Sequence, residues 1–145
     1  MALTFYFDRN IGTRFPDALE KLRLPVVCHT TKKSKLGVTG PGCDDQLFKD
    51  EEVDDVWLAE IGTRGWTVFS HDKKFHKTGY ESEVSAIKQF NVGCFYLWGG
   101  SATPLEKARC FFRAYDRIME AAEMTPRPFI YDVQKSGRLK RIPIP

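Results

Sequence analysis

Leu3-Thr4-Phe5-Tyr6-Phe7-Asp8 is a short apolar, aromatic run that stops on a carboxylate, and its reading decides the fold. Such a run reads as a buried strand whose carboxyl end presents an acid. Working outward, Gly12 and Pro16 bracket the entry to a helix in which Phe15, Leu19 and Leu22 recur at helical spacing, and Pro25 closes it. Pro25-Val26-Val27-Cys28-His29 is a second strand. A right-handed crossover between the two strands makes them parallel.

The same alternation continues. Thr30 to Asp50 is rich in Lys, Gly, Thr and Asp, and Gly37, Gly40, Pro41 and Gly42 oppose regular structure. A loop of about twenty residues is long for a compact domain; it is either a solvated connection or, through Lys32, Lys33 and Lys35, a phosphate-contacting one. The acid run from Asp50 to Asp55 leads into a helix with Trp57, Leu58 and Ile61 as its apolar face, stopped by Gly62 and Gly65. Trp66 to Ser70 is the third strand and runs into His71-Asp72. Gly79 to Phe90 carries Val84, Ile87 and Phe90 at helical spacing, and Val92 to Trp98 is the fourth strand. Thr103 (N-cap), Pro104 and Glu106 form a capping box that starts a helix reaching Met124. Its buried face is expected from Ala108, Phe111, Phe112, Tyr115, Ile118, Met119 and Ala122. Pro128 to Val133 and Leu139 to Ile142 form a terminal hairpin. The fold class is α/β: three layers, a central mainly parallel sheet flanked by helices, with a C-terminal helix and hairpin, in one domain spanning 1–145.

Composition agrees with a globular domain and excludes several classes. With 145 residues and 42% hydrophobic content the chain can bury a core without zinc or disulfide staples. A net charge of +3 suits a nucleic-acid partner without demonstrating one. Cys28, Cys43, Cys94 and Cys110 show no C-x-x-C pair, which removes zinc ribbons and redox dithiols; Cys28, Cys94 and Cys110 read as buried thiols of a protein in a reducing cytoplasm. No apolar run approaches membrane-spanning length. His29, His71 and His76 have neither metal-ligand spacing nor a nucleophile context. Tyr6, Trp57, Trp66 and Trp98 read as core residues.

The chemistry lies in the acids. In open α/β sheets ligands collect outside the carboxyl ends of the strands. Asp8 follows the first strand, Asp72 follows the third, and Asp54 or Asp55 opens the helix feeding the third strand. If strands one and three are neighbours, these carboxylates meet at one edge. Gathered carboxylates repel one another unless a cation neutralises them, and oxygen-only ligation suits Mg²⁺ or Mn²⁺. The implied chemistry is metal-dependent phosphodiester hydrolysis. Taken singly, each aspartate also reads as a turn former or helix cap.

Phe5 to Gly12, then Asp54 to Leu58, then Gly65 to Phe75 resemble, in order and spacing, the PIN-like domain family, in particular its branch of toxin ribonucleases from bacterial toxin–antitoxin pairs. The resemblance runs from Leu3 to about Trp98. It implies Mg²⁺- or Mn²⁺-dependent cleavage of RNA, with Asp8, Asp54 and Asp72 as catalytic metal ligands and Asp55 as the alternative to Asp54. Arg9, Asn10, Lys73 and Lys74 are the candidate substrate contacts. RNA as substrate, an antitoxin protein and a second copy of the chain are the candidate partners. One departure stands out: Lys74 occupies a position where related proteins often carry a further acid, which favours one ion over two. It also motivates an alternative, a non-catalytic PIN-like module that binds RNA or protein. A phosphotransfer domain of the receiver or dehalogenase type shares the acid after the strand, but Asp8-Arg9-Asn10 lacks the second acid of the dehalogenases.

Overall fold

The computed structural model describes residues 3–49, 54–70, 81–97 and 102–144, with Asn10, Asp54, Asp55 and residues 81–83 described by their backbone. The strands are β1 (Phe5–Phe7), β2 (Val26–Cys28), β3 (Thr67–Ser70), β4 (Gly93–Leu97), β5 (Phe129–Val133) and β6 (Leu139–Ile142). They form a six-stranded sheet in the order β2-β1-β3-β4-β5-β6. β1 to β5 are parallel and β6 returns antiparallel against β5. The expected α/β class, the parallel array and the terminal hairpin are all present.

The helices are α1 (Arg14–Lys21), α2 (Asp54–Arg64), α3 (Glu81–Gln89) and α4 (Pro104–Met124). Alternation along the strands splits the core in two. Phe5, Phe7, Phe69, Phe95 and Phe129 pack against Phe15 and Leu19 of α1 and Phe111, Ala114 and Ile118 of α4. Tyr6, Val68, Cys94, Tyr96 and Ile130 pack on the other face against Trp57, Leu58 and Ile61 of α2 and Ala86 and Ile87 of α3. On the first face, rings from adjacent strands stack in register: Phe7 on Phe69 at 4.9 Å, Phe69 on Phe95 at 5.2 Å, and Phe95 on Tyr131 at 5.6 Å. A one-residue slip would move this whole ladder to the opposite face, so the ladder fixes the register and every residue next to it.

Four sequence expectations change. Gly62 does not stop α2; it lies inside the helix, where a Cβ would collide with the Phe90 carbonyl at the end of α3. Gly65, at φ +69°, is the residue that ends the helix. Leu22 is 62% exposed: α1 finishes at Lys21, and the chain turns away at Arg23, φ +64°. Phe112 is 46% exposed: the phase of α4 sends Phe111 into the sheet, and its neighbour, about 100° further round, lies outside the core. The long loop is built rather than featureless. Lys33 N–H donates to the Asp45 carbonyl at 2.9 Å, Ser34 N–H to that of Cys43 at 2.8 Å, and Phe48 is buried edge-on to Tyr6 at 5.6 Å. Cys28, Cys94 and Cys110 are buried free thiols as expected. Trp98 and the start of the Gly79–Phe90 segment lie outside the described residues. Among the described residues no helix is long and apolar enough to cross a membrane.

Candidate functional site

The strand order creates a switch point. The connection from β1 leads outward to β2, and the chain then crosses back over β1 to β3, so the loops diverge at the carboxyl ends of β1 and β3. In open parallel sheets that divergence opens a crevice for ligands. Asp8 stands at this point. Its N–H extends the sheet to the Phe69 carbonyl at 2.8 Å, and its own carbonyl accepts from Ile11 N–H at 3.0 Å. A 3-10 turn over Arg9–Ile11 then folds the chain back, with Gly12 at φ +81° and Ile11 buried beneath. The turn leaves Asp8 only 6% exposed.

Alternation puts Asp8 on the α2 and α3 face, together with Tyr6 two residues earlier, and it puts Ser70 there with Val68. The two meet: Ser70 Oγ donates to Asp8 Oδ2 at 3.2 Å in a buried contact. Tyr6 lies beneath, and burial first, then the negative charge of Asp8, pushes its phenol well above the ordinary tyrosine range. It is therefore a neutral hydroxyl at any physiological pH.

α2 brings its first turn to the same place. Trp57 packs against Tyr6 at 5.5 Å. Position 54 lies about 4.5 Å up the helix from Trp57, and Asp8 lies about 6.6 Å up the strand from Tyr6, in the same direction because the helix runs antiparallel to the strands. The burial of Trp57, Leu58 and Ile61 fixes the helix phase. Position 54 falls on their stripe, whereas position 55 is rotated from it by about 100°. The helix phase thus separates the backbone positions 54 and 55 on α2.

Arg9 is exposed in the turn directly after Asp8, and Asn10 is next to it. Asp72, Lys73, Lys74, His71 and His76 lie outside the described residues; Asp72 follows Ser70 by two positions in the chain. Among the described residues no three His, Cys, Asp or Glu side chains gather as a metal cluster. What is described fits a hard cation in donor chemistry: a buried carboxylate held by a hydroxyl, with a helix opened by two aspartates beside it.

Two polar residues escaped the sequence reading. Ser70 passed as the last residue of a strand. Asp132 in β5 is only 7% exposed and continues the same row, since Ser70 is in register with Tyr96 and Tyr96 with Asp132. Three strand spacings separate Asp132 from Asp8, about 14 Å, which is too far to share an ion. The available signal was an acid in the middle of the apolar Phe129-Ile130-Tyr131-Asp132-Val133 run.

Residues 3–99, about two thirds of the chain, match the family model of a PIN-like domain. No curated protein and no solved structure matches the chain. The matched span takes in β1 to β4, hence both strands that form the switch point and the helices between them, and the chain belongs to the PIN-like domain family.

Proposed function

We propose that the chain is a metal-dependent endoribonuclease, the toxin of a toxin–antitoxin pair working in the cytoplasm, with Asp8, Asp54 and Asp72 holding Mg²⁺ or Mn²⁺. The observation that carries this reading is the buried Asp8 carboxylate at the switch point, held by Ser70 and flanked by the start of α2. When bound, such an ion supplies a Lewis acid for the phosphodiester and a more acidic water.

The chain's own groups do the rest. Ser70 fixes the orientation of the Asp8 carboxylate, and Tyr6 and Phe48 close the floor beneath it against water. Position 54 supports the reading over position 55 through the helix phase. Arg9, Asn10, Lys73 and Lys74 are the proposed contacts to substrate phosphates. An antitoxin and a second copy of the chain are the proposed protein partners.

Asp8→Asn keeps the shape and removes the charge. It should abolish RNA cleavage while circular dichroism and the melting temperature remain those of the parent. EDTA should silence the parent in the same way. Cleavage that persists in either experiment refutes the assignment. Lys74 favours the second reading, a PIN-like module that binds without cutting. That reading gains if calorimetry finds no Mn²⁺ binding to a chain that still binds RNA.

A further inference from the structure

The charge of this chain is unevenly distributed. Residues 102–145 hold nine Lys and Arg against five Asp and Glu, whereas residues 1–101 hold thirteen against fourteen. The whole positive excess therefore belongs to α4 and the β5–β6 hairpin, which lie beyond the span matched by the family model.

The fold concentrates that excess further. Arg109, Arg113 and Arg117 recur every fourth residue along α4, a stripe rising about 6 Å per step. Arg113 Nη1 donates to the Lys135 carbonyl at 2.8 Å, and Arg117 Nη1 to the Gly137 carbonyl at 3.1 Å. These bonds bind the hairpin turn to the helix. Gly137, at φ +87°, lets the turn approach so closely that a Cβ there would sit 3.1 Å from the Arg113 carbonyl. Lys135, Arg138 and Arg141 are thereby held on the exposed side of the same seam.

The arginines of this seam are not spent on acids. Among the described residues, Arg109, Arg113, Arg117, Arg138 and Arg141 have no carboxylate within ion-pair distance. Of the acids on the same side of α4, Glu106 is engaged by its own N-cap, Thr103, Glu120 sits beside Arg117, and Asp116 lies next to Arg117 in the chain without an ion pair among the described residues. Two clefts follow one another along the seam: one of about 260 Å³ between Arg109, Arg113 and Lys135, and one of about 550 Å³ between Arg117, Arg138 and Tyr131. Guanidiniums anchored by carbonyls keep their remaining donors and full charge, the arrangement that suits phosphate.

We propose that this seam is a docking surface for the phosphate backbone of RNA. It starts at the end of α4 nearest the carboxyl edge of the sheet, so a strand lying on it continues toward Asp8. From Arg109 to Arg117 it spans about 12 Å of helix, enough to follow successive phosphates of a backbone. The choice of RNA rests on the nuclease reading; the surface itself does not.

The test uses the full chain carrying Asp8→Asn, in EDTA, so that cleavage plays no part. Fluorescence anisotropy follows a labelled single-stranded oligoribonucleotide of about twelve nucleotides, a length within the range of single-strand sites. Arg109→Gln, Arg138→Gln and Arg141→Gln together leave both hairpin bonds in place. They should weaken binding at least roughly tenfold and lower the log–log salt slope by about two. Lysine at the same three positions should bind like the parent. A control that removes equal charge elsewhere, Lys21→Gln with Arg23→Gln and Lys49→Gln, should change affinity by less than about twofold. The proposal fails if the glutamine set binds like the parent, if the control loses as much, or if the lysine set loses as much. Polyglutamate that displaces RNA at equal charge concentration overturns it in favour of an acidic protein partner. A chain that binds through this surface and never cleaves refutes the nuclease reading alone.

Discussion

Ser70→Ala is the most informative single change at the site. The Ser70 side chain is buried at the end of β3, and its hydroxyl donates to Asp8 Oδ2 at 3.2 Å. A hydrogen bond to a charged partner contributes about 1.5–3 kcal/mol, and a distance beyond the usual range for O–H···O places this one near the lower end. Losing about 1.5 kcal/mol of carboxylate orientation corresponds to roughly a tenfold weaker ion, the low end of what removal of such a supporting group costs in metal affinity. Calorimetric titration of Mn²⁺ into the parent, Ser70→Ala and Ser70→Thr measures this, and RNA cleavage on the same preparations shows whether activity follows occupancy. Alanine should weaken Mn²⁺ binding about tenfold, threonine should restore most of it, and cleavage at saturating Mn²⁺ should recover. If Mn²⁺ affinity is unchanged in Ser70→Ala while Asp8→Asn abolishes it, Ser70 does not orient the carboxylate. If saturating Mn²⁺ fails to rescue cleavage, the hydroxyl acts on substrate instead.

Two further substitutions test elements that the sequence misjudged. Were Gly62 a helix stop, Gly62→Ala would cost only backbone strain in a loop; as an interior helical position at an exposed site it would stabilise the chain by about 1 kcal/mol. Because a Cβ there meets the Phe90 carbonyl, the expected result is a loss of about 1–3 kcal/mol, read as a lower urea midpoint with unchanged slope. Phe48→Ala should cost about 3 kcal/mol, as for a buried phenylalanine, whereas a merely solvated loop would show less than about 0.5 kcal/mol. Urea denaturation distinguishes the two outcomes.

How far the sequence reached follows from the range of each interaction. Leu3 to Asp8 and Thr67 to Ser70 were legible because strands buried on both faces read as continuous apolar runs, and an acid ending such a run is a local signal. The Thr103 cap was legible for the same reason, since Thr103, Pro104 and Glu106 settle their geometry among themselves. Gly62 misled because its role depends on Phe90, twenty-eight residues away in the chain, and nothing local distinguishes a helix stop from a close helix contact. The loop from Thr30 to Lys49 misled because glycines and lysines mask its buried anchor, Phe48, whose partner Tyr6 lies in another strand.

The candidate site divides along the same line. Asp8 stands out in its own strand, but its value depends on what lies beside it, and that is set across the sheet. The stacked rings of Phe7, Phe69, Phe95 and Tyr131 lock four strands at one level. The next level up must then hold Asp8 beside Ser70, with Tyr96 and Asp132 following in the same row. Ser70 is as ordinary in sequence as any serine; only the register gives it a carboxylate to hold. The separation of position 54 from position 55 around α2 has the same origin. A helix phase is undetermined by two adjacent acids, and it becomes determined when Trp57 meets Tyr6, the residue two before Asp8. The apolar core therefore does more than stabilise this fold. By choosing register on one face and helix phase on the other, it decides which oxygens are gathered at the edge where the chemistry would occur.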